Sequence, residues 1–221
     1  DQLKSHIFAP EGVKDFRRTF KISEAAELVG CHKNSIVKAE QEGLIQPIKG
    51  TIKSYTQQQI NLLRRRFGKE MRLGPDEEAA VLAVQNFKGG VAKTTIAVHL
   101  AQWLAIRGFR VLLIDLDSQA SATSMFGYTP DLDIPLDDTL YPFFVGEQRT
   151  MHYAIRPTHI ENLDLIPANL QLYGAEYAIA SQHAERPVYS HLPHGISQLK
   201  QDYEVIIIDP PPALGVFSIN A

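Results

Sequence analysis

Two lysines, two glycines and two threonines fall within eight consecutive residues of this chain. The stretch reads Lys88, Gly89, Gly90, Val91, Ala92, Lys93, Thr94, Thr95. Backbone N–H groups in such a loop can turn toward one anion, and glycine allows a phosphate to approach because it lacks a Cβ. Lys93 can place its charge on the outer phosphates, and the Thr94 hydroxyl can ligate Mg²⁺. All eight residues are therefore predicted to form a nucleotide-binding cradle.

The flanking segments supply the elements that would position this loop. An apolar run at 80–84 precedes it, and an apolar-periodic segment at 96–106 follows it. This order predicts a strand, a phosphate-binding loop and a helix from Thr94 to Arg107 that ends at Gly108. The unpaired N–H groups and positive dipole end of that helix would add to anion binding.

Two further apolar runs end in carboxylates. One covers 111–117 and contains Asp115 and Asp117, and the other covers 203–209 and ends at Asp209, before three prolines. Continuous apolar character predicts buried parallel strands, whose carboxyl ends meet at the edge of the sheet where ligands bind. These acids are therefore predicted to lie beside the loop, although a solvated strand end would show the same pattern.

The loop departs from the common P-loop pattern in an informative way. Aligned on Lys93, that pattern asks for glycines where this chain has Phe87 and Ala92, and the chain carries an additional lysine, Lys88. The stretch resembles the deviant P-loop ATPases, whose loop reads K-G-G-x-x-K-T-T. The resemblance implies that Lys88 reaches the nucleotide of a partner subunit in an ATP-bound dimer. A glycine-rich turn with two solvated lysines is the alternative.

The same resemblance assigns roles to the acids and implies ATP/ADP and Mg²⁺ as cofactors. Asp117 matches the residue that handles the attacking water, although Ser118 stands where the family has proline. Asp209 with its prolines matches the family's Walker B element. The expected catalytic residues are Lys88, Lys93 and Asp117, and the expected metal-site residues are Thr94, Asp115 and Asp209.

The N-terminal third has a different charge and pattern. Residues 1–75 carry a net charge of +6 and the remainder −9, an asymmetry that points to nucleic acid. Helices are predicted at 24–29, capped by Ser23, and at 33–41, followed by a small wing over 44–55. Thr56 and Gln59 predict a capping box for a third helix.

This segment resembles the winged helix-turn-helix of MerR-type regulators. The alternative is a helical dimerisation module with a solvated basic face. If the segment binds DNA, the second helix would enter the major groove, with the wing and third helix near phosphates. The expected DNA contacts are Lys33, Asn34, Ser35, Lys38, Lys49, Lys53, Arg64, Arg65 and Arg66.

We therefore expect an arm at 1–18, a mostly α winged helix-turn-helix domain at 19–67, a linker at 68–79 and an ATPase domain at 80–221. The fold class is α/β, a P-loop parallel sheet with helices on both faces. The family's α/β domain continues beyond the equivalent of Ala221, so its C-terminal part is expected to be missing here.

Composition narrows the function classes. A single cysteine, Cys31, excludes an intrachain disulfide and a multi-cysteine cluster, which argues against the nitrogenase-type reductases that share the loop. No run approaches eighteen apolar residues, and the first residues lack signal-peptide features, so a cytoplasmic, nucleoid-associated protein without a membrane partner is expected.

The whole pattern resembles ParA-type partition ATPases with an N-terminal helix-turn-helix, in the plasmid RepA/ParA-like branch. The resemblance implies an ATP-driven homodimer switch that segregates DNA, binds it non-specifically as the ATP dimer, and binds and represses its own operator. It also implies a ParB-type centromere-binding partner that stimulates hydrolysis. Two alternatives remain: a transcription regulator for which nucleotide is only a ligand, and a MinD-like positioning ATPase, which needs a C-terminal amphipathic helix.

Overall fold

The computed structural model describes residues 16–74, 76–174 and 190–221, so most of the expected N-terminal arm lies outside the described residues. The first unit of the fold contains three helices and a two-stranded antiparallel sheet. Its elements are β1 (Phe20–Lys21), α1 (Ile22–Val29), α2 (Lys33–Gln41), β2 (Ser54–Tyr55) and α3 (Gln57–Phe67).

The helix termini of this unit partly follow the expectation. The predicted Ser23 cap is wrong: α1 begins two residues earlier, at Ile22, and the Lys21 N–H donates to the Glu24 carboxylate at 2.8 Å. Helix α2 has the predicted bounds. Thr56 and Gln59 form the predicted capping box at the start of α3.

The region expected to be a wing is small. Tyr55 of β2 pairs with Phe20 of β1, and one further bridge joins Ile48 to Ser54. A separate apolar core stabilises the unit by removing large side chains from water. Its fully buried members include Phe20, Ile36, Tyr55, Ile60 and Leu63.

The second unit is an α/β sandwich. Its longer elements are β3 (Ala80–Ala83), α4 (Lys93–Arg107), β4 (Val111–Asp115), β5 (Arg156–Pro157), β6 (Leu163–Ile166), α8 (His191–Leu199) and β7 (Val205–Asp209). Short helices complete it: α5 (Ser121–Met125), α6 (Pro130–Asp133), α7 (Tyr141–Phe144) and α9 (Val216–Asn220), with 3-10 turns at Leu136–Asp138 and His152–Ala154.

The five strands lie in the order β3-β7-β4-β6-β5. All neighbours are parallel except β5, which pairs antiparallel with β6, so the expected wholly parallel sheet is corrected at this edge. Alternate residues of β4 and β7 enter two different apolar clusters, one packed on α4 and the other on α8. Helices therefore cover both faces, because a parallel sheet must bury each of them.

The register brings the strand-end acids together. Asp115 is the last residue of β4 and lies directly opposite Asp209, the last residue of β7. Strand β3 pairs with β7 on its other side and delivers the loop to the same edge. The loop and the two carboxylates consequently share one end of the sheet, as the sequence predicted.

Candidate active site

The loop between β3 and α4 turns through left-handed backbone conformations. Gly90 has φ 71° and Ala92 has φ 62°. Helix α4 begins directly afterwards at Lys93, and Ala92 provides no side-chain cap for its first turn. The first N–H groups of α4 are thus left for a ligand, which is the arrangement that helix N-termini use to bind phosphates.

Ala92 occupies a backbone conformation that favours glycine. The left-handed region costs an L-residue about 1–2 kcal/mol because its Cβ approaches the following carbonyl oxygen. Ala92 is exposed, so its methyl gains little from packing in return. The departure from the family pattern therefore introduces local strain at the entrance to the P-loop helix.

Asp209 is a buried carboxylate without a partner. It is 1% exposed, and neither of its oxygens accepts a hydrogen bond of normal geometry from the described residues. Burial raises the pKa of Asp209 to about 6. The charge of Asp117 also raises it, and the Thr94 hydroxyl and the Lys93 ammonium oppose the shift. A buried acid of this kind is normally paired, so this one is suited to a cationic ligand.

Asp115 is equally buried, but both of its carboxylate oxygens accept hydrogen bonds. Its Oδ2 accepts hydrogen bonds from the Thr123 N–H at 2.9 Å and the Thr123 hydroxyl at 2.7 Å, and its Oδ1 accepts the Asp117 N–H at 3.2 Å. Burial raises the pKa of Asp115 to about 7, although these hydrogen bonds lower it. Asp115 therefore holds helix α5 and the backbone of Asp117 in place, and its expected role at the metal stays a prediction.

Asp117 lies at the same edge and is half-buried. Its Oδ1 accepts the Gln119 N–H at 2.9 Å, and its backbone carbonyl accepts the Ala120 N–H at 2.8 Å. No hydrogen bond from the described residues reaches its Oδ2. The turn after β4 therefore orients Asp117 and leaves one carboxylate oxygen available, even though Ser118 replaces the expected proline.

The two lysines of the loop occupy different settings. Lys93 is half-buried and close enough to act on Asp209. Lys88 is exposed at the head of the loop, and its backbone N–H donates to Asn86 Oδ1 at 2.9 Å. The structure thus brings Lys93, Thr94, Asp117 and Asp209 together, and leaves the Lys88 side chain outside this group.

Thr94 and Asp209 fit the magnesium ion that such a loop implies. Among the described residues, no group of three or more His, Cys, Asp or Glu side chains is arranged to hold a metal. An unpartnered buried carboxylate beside a hydroxyl is the incomplete, all-oxygen donor set that Mg²⁺ takes when phosphate oxygens and water supply its remaining ligands. Thr94 and Asp209 would therefore hold Mg²⁺ together with the phosphates of a bound nucleotide.

Sequence reasoning missed Thr123, which holds Asp115 and also accepts the Ala168 N–H at 3.0 Å. It also missed Gln85, whose buried side-chain amide has no hydrogen-bond partner among the described residues. Thr123 sits eight residues after the carboxylate that it binds, and no pattern in the sequence links the two.

Most of the expected DNA contacts are exposed on the first unit. Lys53 forms an ion pair with Glu40 at 2.8 Å, and Lys38 lies 3.8 Å from Glu42. Ser35 is only partly exposed. The exposed members are Lys33, Asn34, Lys38, Lys49, Lys53, Arg65 and Arg66.

Arg64 is the exception and corrects the expectation. It is 2% exposed, and its guanidinium donates to the carbonyls of Leu28 and Ile106, both at 2.8 Å, and to Asn61 Oδ1 at 2.6 Å. Leu28 and Ile106 lie at the C-terminal ends of α1 and α4, where carbonyls lack helical partners. Arg64 therefore joins the two units and is not available to DNA.

The neighbouring residues of α3 strengthen this junction. Gln57 Nε2 donates to the Glu161 carbonyl at 2.9 Å, and Asn61 Nδ2 donates to the Glu161 carboxylate at 2.8 Å. Together with Arg64 they form one polar face of α3, spaced at i, i+4 and i+7. The first unit is thus docked at the end of α4 that lies farthest from the loop.

The family described as AAA domain matches residues 79–221, which include the loop and all three strand-end acids. The chain belongs to the ParA-type P-loop family. It is 41% identical to SopA of Escherichia coli K12 over 224 aligned residues, which cover 96% of this chain and 58% of SopA. The chain thus spans a little over half the length of that curated relative, and the match extends well into the first unit.

Two solved structures support the same fold. A cobyrinic acid a,c-diamide synthase from Mycobacterium smegmatis, with bound ATP analogue and magnesium, is 36% identical with a TM-score of 0.57, covering 64% of this chain and 53% of that one. A plasmid partition protein from Borrelia burgdorferi is 31% identical with a TM-score of 0.55, covering 65% and 60%.

Within the described part of the chain, the helices are all too short or too polar to span a bilayer.

Proposed function

We propose that this protein is a Mg²⁺-dependent ATPase of DNA partition. One observation carries the proposal: Asp209, buried and unpartnered, lies beside Lys93 and Thr94 at the start of the P-loop helix. A neighbouring Asp117 with a free oxygen completes the set of groups that phosphoryl transfer to water requires. The similarity to the plasmid partition protein from Borrelia burgdorferi favours partition over the other functions found in this family. The match to SopA extends beyond the ATPase domain and so includes the first unit.

In this proposal each residue has one task. The first N–H groups of α4 and the Lys93 ammonium bind the phosphates and offset the charge that develops during transfer. Thr94 and Asp209 would hold Mg²⁺, which would supply Lewis-acid stabilisation of the phosphate oxygens when bound. Asp117 orients the attacking water and accepts its proton. Lys88, exposed at the head of the loop, reaches the nucleotide of the second subunit in an ATP-bound homodimer.

The first unit serves DNA binding in the same proposal. Its second helix, α2, presents Lys33, Asn34 and Ser35 at its N-terminal end, and Lys49 and Lys53 extend the basic surface. A winged helix-turn-helix of this kind would bind the operator, and the ATP dimer would bind DNA non-specifically. A ParB-type protein would stimulate hydrolysis, and the protein would act on the nucleoid in the cytoplasm.

Turnover of ATP tests the assignment of the water-handling residue. We expect Asp117→Ala to bind ATP and to lose hydrolysis, with and without a centromere-binding partner. ATP binding measured in parallel is the control, because it separates loss of chemistry from loss of the site. Wild-type hydrolysis by Asp117→Ala would show that another residue handles the water.

The roles of Lys88 and of the first unit need separate measurements. Lys88→Ala should bind ATP as a monomer, so ATP-dependent dimerisation of this variant would remove the cross-subunit role. Lys33→Ala should weaken operator binding and reduce its salt dependence by about one counterion. No change in either quantity would leave the first unit as a dimerisation module.

A further inference from the structure

A cavity of about 190 Å³ lies where the two units meet the connecting segment, the stretch between α3 and β3 that contains Glu70, Met71 and Arg72. Arg64 and Arg65 line it from α3, Arg72 from the connecting segment, and Arg110 from the start of β4. Glu70 is the single carboxylate in its lining. The cavity lies at the opposite end of α4 from the loop, about 22 Å away for a helix of this length, and so belongs to a different site.

The four arginines differ in how their charges are compensated. Arg110 is bound by the buried Glu204 at 2.9 Å, and Arg72 lies 3.4 Å from Glu70. Arg65 makes no side-chain hydrogen bond or ion pair with any described residue. Arg64 donates to carbonyl and amide oxygens and to no carboxylate. Two guanidinium charges around the cavity therefore lack a counterion.

Arg64 makes this imbalance costly because it is buried. Charged side chains are rarely buried without a partner of opposite charge. The carbonyls at the ends of α1 and α4 offer partial negative charge, which compensates Arg64 in part. Burial, together with the nearby positive charge of Arg107, nevertheless lowers the pKa of Arg64 to about 10. An anion in the cavity would relieve both effects.

We propose that this cavity binds a phosphate group that bridges the two units. A phosphate monoester carries close to two negative charges at neutral pH, which matches the two uncompensated guanidiniums. Arginine binds phosphate through paired, charge-assisted hydrogen bonds, so Arg65 and Arg72 can close on the anion from the rim. A free phosphate compound offers this doubly charged group, whereas a phosphodiester of the DNA backbone carries one negative charge and would leave one guanidinium without a counterion.

Inorganic phosphate is the probe for the test, used with the Lys93→Ala protein so that the loop contributes less binding. We expect saturable binding by calorimetry and a rise in the thermal midpoint as phosphate is added. Arg65→Ala in the same background should weaken that binding about tenfold. Lys69→Ala, which removes a neighbouring exposed charge outside the cavity, is the matched control and should leave it unchanged.

Two results would overturn the proposal. One is the absence of saturable phosphate binding, and the other is an equal effect of Arg65→Ala and Lys69→Ala. A short DNA duplex then identifies the source of the phosphate. If it is the DNA backbone, phosphate competes with the duplex and Arg65→Ala weakens both; if it is a free compound, Arg65→Ala weakens phosphate binding and duplex affinity stays within twofold.

Discussion

The two ends of helix α4 differ in whether the protein itself supplies hydrogen-bond partners for their backbone groups. At the N-terminal end, the first turn has no side-chain cap and follows an exposed loop. At the C-terminal end, the carbonyls of Ala105 and Ile106 accept hydrogen bonds from Gln57 and Arg64 of the other unit. Both ends leave backbone groups without helical partners, yet only the C-terminal end is completed within the protein.

The N-terminal end of α4, called the open end, is arranged to bind a ligand. The C-terminal end, called the closed end, joins the two units of the protein. An open helix N-terminus with a lysine beside it keeps its donors for a ligand, and the unpartnered Asp209 is the acidic counterpart of that opening. A closed C-terminus uses a buried guanidinium to join two units. Substitutions at the open end should therefore change activity, and substitutions at the closed end should change stability.

Lys93→Ala should give the largest effect. We expect ATP turnover to fall about a thousandfold, equivalent to about 4 kcal/mol, because the variant loses a positioned charge that stabilises the transition state. The free energy of unfolding should change by less than about 1 kcal/mol, since Lys93 is only half-buried. Measurement of turnover and urea denaturation on one preparation checks both. An unfolded variant would mean that the open end is structural after all.

Arg64→Ala tests the closed end. We expect it to lower the free energy of unfolding by about 3 kcal/mol, because it leaves the Leu28 and Ile106 carbonyls unpaired and removes a charged hydrogen-bond donor. Urea denaturation provides the measurement. Arg66→Ala, which removes an exposed arginine two residues away, should stay within about 0.5 kcal/mol of wild type. Equal stability of the two variants would contradict the junction.

Gly108→Ala should have a smaller effect at the same end. Gly108 ends α4 with φ 104°, and a Cβ there would lie 2.9 Å from the Arg64 guanidinium carbon. We expect a cost of about 2 kcal/mol in the free energy of unfolding, divided between backbone strain and the displaced arginine. A double-mutant cycle separates the two contributions.

In the Arg64→Ala background, Gly108→Ala should cost only the backbone contribution, about 1 kcal/mol. An unchanged cost would show that Arg64 does not constrain this position.

The open end was largely predictable from the sequence, and the closed end was not. The loop, the following helix and the acids at 115, 117 and 209 lie close together along the chain or at the ends of apolar strands, so local patterns locate them. Which acid stays unpartnered depends on Thr123, and that contact forms only in the folded sheet.

Arg64 shows why the closed end escaped prediction. Within the run Arg64–Arg66, a basic pattern alone favours solvent or DNA for all three residues. Helical periodicity places Arg64 beside Ile60 and Leu63, on the buried face of α3, and this was the available signal. Its partners are backbone carbonyls of Leu28 and Ile106, which have no distinguishing mark in any sequence.

Ala92→Gly, at the open end of α4, is expected to have the smallest effect on the free energy of unfolding. Relief of the left-handed strain should stabilise the folded protein by about 1–2 kcal/mol. The greater freedom of glycine in the unfolded chain should offset about 0.4–1 kcal/mol of this gain. The net expectation is a gain of about 0.5 kcal/mol in the free energy of unfolding, measured by urea denaturation.

Ala120→Gly is the matched contrast, since Ala120 has φ 51° but a buried methyl. It should lose packing of about 0.8 kcal/mol and show no gain. Destabilisation by Ala92→Gly would mean that left-handed strain does not govern this position.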